Sequence, residues 1–297
     1  MTQSKAGQIV WHDLFTPDRA RSMAFYQHVA DWSYEVERAS DFAWGGGEQD
    51  FVLALSGDEA GAGLIETAPE QAKGWVAYIE VPDVDLAAKR VDTLGGKIVR
   101  EPFEVPGVGR NALVRDPLGA LVGISLSRHS FPVPRRQFGP EVYISNDDGF
   151  PQAFYIELFG WQVSPDRDQD CATLLGPRGR LVAIQHAATW ATASNASWVP
   201  SLKVASVPDA FRAAETKGAH PASLNLSESV QAQIPILCDP DGVPFAFGGK
   251  QANPFQPPAD SIQELQSGFF RSAGSGTQRL CALLDSVLVG IQPPTCF

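Results

Sequence analysis

The chain has 297 residues, 44% of them hydrophobic, with 23 Lys and Arg against 34 Asp and Glu for a formal charge of −11. That balance argues against a nucleic-acid partner, which needs a clustered basic surface, and the one basic string, Pro134-Arg135-Arg136, is too short to supply it. The start, Met1 to Gly7, lacks an apolar signal core, no stretch approaches the roughly 20 apolar residues that cross a bilayer, and the four cysteines show no C-x-x-C spacing, so no membrane and a cytoplasmic address are expected.

The first run reads as a strand closing at Phe15-Thr16-Pro17-Asp18, with Asp18 placed to cap a helix through Ala20, Met23, Ala24 and Ala30. Phe51 to Leu55 reads as a strand. The run to Glu80-Val81-Pro82-Asp83 repeats the opening pattern 65 residues on, and Val84, Ala87, Ala88, Val91 and Leu94 follow helical spacing to a Gly95-Gly96 stop. Lys97 to Arg100, Ala112 to Arg115 and Leu121 to Leu126 read as strands, with Gly107-Val108-Gly109-Arg110 as a hairpin turn between two of them. The unit is strand, helix, then about three strands.

The pattern is then written again. Phe25-Tyr26 with Trp32 recurs as Phe154-Tyr155 with Trp161, Trp75 as Trp198, and Asp116-Pro117-Leu118-Gly119 as Asp239-Pro240-Asp241-Gly242, at offsets of 129, 123 and 123 residues. Trp32 and Trp161 are expected to be equivalent core anchors. The copies are placed at 8–128 and 139–249, joined by a linker at 129–138. Beyond them, at 250–297, lie a proline-rich spacer, a short turn at Ser261 to Ser267, and an amphipathic run from Leu280 to Ile291, expected to cover the chain's own surface or a second copy in a homodimer.

Thr16-Pro17-Asp18 with Phe25-Tyr26 and Trp32, Trp75 with Tyr78 and Asp83-Val84-Asp85, Pro106-Gly107-Val108-Gly109-Arg110, and Asp116-Pro117 before Gly119-Ala120, in that order and repeated, resemble the glyoxalase, bleomycin-resistance and extradiol-dioxygenase superfamily, the vicinal oxygen chelate fold. The resemblance covers about 240 of the 297 residues. It implies an α+β fold of tandem glyoxalase-like domains, each made of paired βαβββ modules whose curved mixed sheets wrap a cleft for small molecules, often around a divalent metal.

At the places where that family keeps metal ligands, aligned by counting from the capping aspartates and the Asp-Pro turns, this chain has Trp11, Val76 and Gly123 in the first copy and Pro140, Val199 and Ala246 in the second. None is a metal donor, so no metal and no other cofactor are expected. His12 adjoins Trp11, and strand alternation turns it away from the cleft unless the register slips by one residue. His28, His129, His186 and His220 read as surface histidines.

The same alternation places Asp13 and Phe15, Tyr78 and Glu80, and Leu121 and Ser125 in the first cleft, beside Trp11, Val76 and Gly123. Asp13, Tyr78 and Glu80 are the catalytic candidates: two neighbouring carboxylates would tune one another toward neutral pH, unless Arg110 or Arg115 balances them. The second cleft offers Val142, Ile144, Ser201 and Lys203, with no carboxylate. The expected function is metal-independent binding of a small, partly aromatic organic molecule in the first cleft, with a lyase or isomerase step left open. Two alternatives stand beside it: an enzyme holding a metal through His12, Asp13 and Glu80, and a non-catalytic scaffold.

Overall fold

Strand β1 (Ile9–Thr16) leads to Asp18, whose carboxylate accepts from the Arg21 amide at 2.9 Å and starts helix α1 (Arg19–Ala30). Asp83 repeats this on the Leu86 amide for helix α2 (Val84–Val91), which runs through a 3-10 turn to a left-handed Gly95. The computed structural model describes residues 4–40, 48–67, 73–146, 149–166, 171–187, 189–190, 196–222, 224–225 and 236–249. The chain divides into Met1–Phe255 and Gln256–Phe297. The second unit lies outside the described residues, and with it the expected turn and amphipathic helix; the proline-rich spacer and two cysteines, Cys281 and Cys296, also lie outside them.

After α1 come β2 (Ser33–Ser40), β3 (Glu48–Ser56), β4 (Glu59–Glu66) and β5 (Gly74–Glu80), and after α2 come β6 (Lys97–Val105), β7 (Gly109–Arg115) and β8 (Leu121–Ser127). They form one eight-stranded sheet in the order β2-β3-β4-β1-β5-β8-β7-β6, two strand-helix-three-strand modules joined by the antiparallel β1–β5 pair. The second copy supplies β9 (Glu141–Ser145), α3 (Gln152–Phe159), β10 (Gln162–Asp166), β11 (Cys171–Leu175) and β12 (Leu181–Ala187). There follow β13 (Thr189–Trp190), β14 (Ala196–Val199), β15 (Ser201–Val204), α4 (Val207–Thr216), β16 (His220–Pro221), β17 (Leu224–Asn225), β18 (Ile236–Cys238) and β19 (Pro244–Gly249). Strands β14 and β15 flank Pro200, which has no amide hydrogen, and the ladder divides there into β10-β11-β12-β9-β14 and β15-β19-β18-β16, with β13 and β17 paired apart. The fold is α+β, with mixed sheets and few helices. Among the described residues no helix is long and apolar enough to cross a membrane.

The cores cross between the copies. Phe25, Tyr26 and Trp32 of α1 and its exit pack with Ala210 and Ala214 of α4 and with Phe245, while Val84 and Val91 of α2 pack with Phe154, Tyr155 and Trp161. Trp32 and Trp161 are both buried, each stacked on the tyrosine of its own helix. The expected linker at 129–138 therefore lies inside one unit, since each main core takes about half its walls from either side of it.

Two matched hydrogen-bond nodes sit inside these cores. Tyr26 donates to Asp239 Oδ2 at 3.0 Å and receives from Trp75 Nε1 at 3.1 Å; Tyr155 donates to Asp116 Oδ2 at 2.9 Å and receives from Trp198 Nε1 at 2.8 Å. The other oxygen of each aspartate closes its own Asp-Pro turn on two backbone amides at 2.9 Å. Each copy's helix is thus fastened to the other copy's turn.

Candidate functional site

On the face of the eight-stranded sheet turned away from the helices, Phe15, Val76, Tyr78 and Leu113 form a buried cluster, edged by half-buried Trp11, Phe51, Phe103 and Leu121. Asp13 lies in this apolar wall, 6% exposed, with Trp11 Nε1 donating to its Oδ1 at 2.8 Å and the Tyr78 hydroxyl directed to the same carboxylate. Burial is the larger effect: it lifts the Asp13 carboxyl to about 6 against the pull of Trp11, Tyr78 and the charge of His12. Burial also raises the Tyr78 phenol, helped by Asp13 and opposed by the charge of Arg100, so it remains a donor near neutral pH. Arg100 itself lies 3.7 Å over the Phe103 ring.

Two glycines make this packing fit. A Cβ at Gly123 would lie 2.2 Å from the Tyr78 ring, and one at Gly63 would lie 2.7 Å from Asp13 Oδ1. Gly123 is one of the aligned ligand positions, and the room a ligand side chain would need there belongs to Tyr78. Trp11 and Val76 carry no donor for a divalent ion, and among the described residues no group of three or more His, Cys, Asp or Glu could hold one. The residues present do not fit a divalent metal at these positions.

Glu80 does not join Asp13. Asp13 pairs with Val76 across the sheet, which leaves Glu80 four residues further along, about 13 Å of strand. Its buried carboxylate accepts from Ser127 Oγ at 2.7 Å and from the Ser127 amide at 3.1 Å. The expected carboxylate pair is replaced by one buried acid and one strand-end clasp, with Ser125 buried beside Glu80 in the β5–β8 register. Neither arginine balances Asp13 or Glu80, because Arg110 forks onto Asp85 at 2.6 Å and Arg115 donates to the Gly119 carbonyl. Arg100 and Phe103 escaped the sequence reading because register shifts around Arg100 break the alternation of β6.

His12 faces away from Asp13, but it is not a solitary histidine. Its Nε2 lies 3.0 Å from Glu141 Oε1, both buried, and its ring stacks on Phe138 at 3.8 Å. Burial raises the Glu141 carboxyl while His12 draws it back. That contact takes His12 out of any site shared with Asp13 and Glu80.

In the second copy Val142, Ile144, Val199, Ile236 and Ala246 close into an apolar cluster, Ser201 is buried, and Lys203 donates its ammonium to the Arg135 carbonyl at 2.6 Å. His186 is not on the surface as expected. It lies on β12 opposite Ile144 in the register, is 6% exposed, and has neither ring nitrogen hydrogen-bonded among the described residues; burial lowers it to about 4.

Residues 7–124 match the family model of the glyoxalase, bleomycin resistance protein and dioxygenase superfamily, and residues 146–247 match that of the glyoxalase-like domain. A Mycobacterium bovis protein provisionally named glyoxylase CFP32 is 28% identical over 121 residues, 41% of this chain and 44% of that one. The anthracycline biosynthesis protein DnrV of Streptomyces peucetius is 31% identical over 140 residues, 42% of this chain and 48% of its own. The chain thus spans about half the length of the curated relatives it matches. Among solved structures, 2,2',3-trihydroxybiphenyl 1,2-dioxygenase of Sphingomonas wittichii superposes with a TM-score of 0.54 at 16% identity, over 82% of this chain and 90% of that one. That likeness concerns the fold alone. With the superfamily model on the first copy and the glyoxalase-like domain model on the second, the chain belongs to the glyoxalase, bleomycin-resistance and dioxygenase superfamily and carries two glyoxalase-like domains.

Proposed function

We propose that the protein binds a small, partly aromatic organic molecule on the helix-free face of its first copy, without a metal, and that Asp13 holds the ligand's acidic proton or hydroxyl. The observation that carries this is the Asp13 carboxyl lifted to about 6 between two donors in an apolar wall. A carboxylate so placed is a strong acceptor and a base matched to neutral pH, and Trp11, Phe51 and Phe103 give a ring something to stack on. Two relatives named for anthracycline biosynthesis support a fused-ring aromatic ligand. A lyase or isomerase step would use the same pair, Asp13 removing a proton next to a carbonyl while the Tyr78 hydroxyl donates to the carbonyl oxygen. The test is a thermal-shift screen of polycyclic hydroxyaromatic and dicarbonyl compounds against the parent, Asp13→Asn and Tyr78→Phe, with and without EDTA. Stabilisation lost in Asp13→Asn and indifferent to EDTA supports the reading. Stabilisation abolished by EDTA and restored by a divalent ion overturns it.

A further inference from the structure

The two copies leave a cavity between them, of about 70 Å³, where the start of β1 meets the linker and the turn from β11 to β12. Its apolar walls include Trp11, Pro134, Phe138, Pro177 and Leu181, and the buried His12–Glu141 pair lies against it. Gly61 also lines it, and a Cβ there would lie 2.5 Å from Oε1 of Gln137, a buried amide behind it whose nitrogen and oxygen both lack a hydrogen-bond partner among the described residues. Such an amide in an apolar setting is unfavourable unless something pairs with it.

The edge of the cavity is positive in a chain whose net charge is −11. Arg180 lines it, and Arg135 and Lys203 are close enough for the three charges to oppose one another. One carboxylate is near, Glu59, whose charge favours the Lys203 ammonium and whose Oε1 accepts from the backbone amides of Arg135 and Arg136 at 2.7 and 2.6 Å. Among the described residues none of the three cations forms an ion pair. An excess of cations beside an apolar hole matches a ligand that is anionic at one end and apolar at the other.

We infer that this inter-copy cavity is a second small-molecule site, taking a short-chain aliphatic carboxylate whose head lies on Arg180 and whose chain enters between Trp11 and Phe138. Its size keeps the tail short: an engineered cavity of about 150 Å³ holds a benzene ring, and this one, at about 70 Å³, encloses only the branched end of a short chain, with the head left outside on Arg180. Trp11 borders both this cavity and the Asp13 wall, so the test must separate the two sites.

The experiment is ligand-observed NMR with 3-methylbutanoate, its neutral amide and inorganic phosphate against the whole chain, repeated on Arg180→Gln, Leu181→Trp and Asp13→Asn. Saturable binding of 3-methylbutanoate is expected, weakened about tenfold by Arg180→Gln and by replacing the acid with its amide, because a charge-assisted hydrogen bond is lost. Leu181→Trp, which fills the cavity, is expected to abolish binding while the melting temperature confirms its fold, and Asp13→Asn is expected to leave binding unchanged. Absence of saturable binding, binding equal for phosphate and 3-methylbutanoate, or binding that follows Asp13 and ignores Arg180 and Leu181 would each overturn the inference.

Discussion

Tyr155, on the helix of the second copy, donates its hydroxyl to Asp116, in the turn of the first copy, at 2.9 Å. Tyr26 and Asp239 make the reverse connection at 3.0 Å, so the copies hold one another by the same bond run in opposite directions. Hydrogen bonds to buried charged groups contribute about 1.5 to 3 kcal/mol, and Tyr155→Phe and Tyr26→Phe should each destabilise by about that amount. The two nodes share no partner, so the double variant should lose the sum. Urea unfolding of the four proteins checks this; a double variant no less stable than either single would show that the nodes are not independent fasteners.

Trp161→Ala should cost about 3 to 5 kcal/mol, the usual result of emptying a buried aromatic position. Trp161 stacks on Tyr155 and its Nε1 donates to the Gly7 carbonyl at 2.8 Å. Because its core is shared, both copies should melt together at the lower temperature. Separate transitions in calorimetry would contradict the shared core.

Asp239 is raised to about 6 by burial, against an ordinary value of 3.8. Between about pH 4 and pH 6 the folded chain therefore holds more protons here than the unfolded chain, and stability from this group falls as pH rises across that window and is flat above it. Asp239→Asn carries no such charge, so relative to the parent it should fare better at about pH 7 than at about pH 4.5, by on the order of 2 kcal/mol. Denaturant unfolding at both values reads the difference. The same offset at both would show that the buried carboxyl does not titrate in this range.

His186 runs the other way. Lowered to about 4 from 6.5, it leaves the unfolded chain with more protons between those values, so its contribution is fully present above about pH 6.5 and is lost as pH falls toward 4. His186→Leu removes two unpaired nitrogens from a wall that already holds Ile144. It should be neutral or stabilising by about 1 kcal/mol at pH 7 and should flatten the acid side of the stability curve. Marked destabilisation at pH 7 would mean that the imidazole has a partner.

Glu80→Gln keeps the shape of the side chain that clasps Ser127 and lies well away from Asp13. It should lower the melting temperature slightly and leave ligand-linked stabilisation intact, whereas Asp13→Asn should abolish that stabilisation. Thermal shifts with any hit from the screen decide between them, and a ligand response lost in Glu80→Gln would restore it to the site.

The local signals were legible because they are made of neighbouring atoms. Asp18 and Asp83 cap helices, and Asp116 and Asp239 close turns, through hydrogen bonds spanning two to four residues. Alternation in β1 correctly set Asp13 against His12. It failed where the chain departs from a regular ladder: β4 carries Gly61 and Gly63, whose missing side chains conceal which face is which, and β6 slips its register around Arg100. The burial of His186 and the distance from Asp13 to Glu80 follow from strand pairing, which no local pattern announces.

His12 and Glu141 lie 129 residues apart, the spacing that also relates Tyr26 to Tyr155, so they are one position of the repeat meeting itself at 3.0 Å. Two identical subunits could place only like beside like there, His against His or Glu against Glu. An acid facing a base at a meeting point of equivalents exists only when the halves are encoded separately. Encoding both halves in one chain is what permits the asymmetry, and the walls differ with it: the first holds the buried acid Asp13, and the second sets the buried imidazole of His186 beside Ile144.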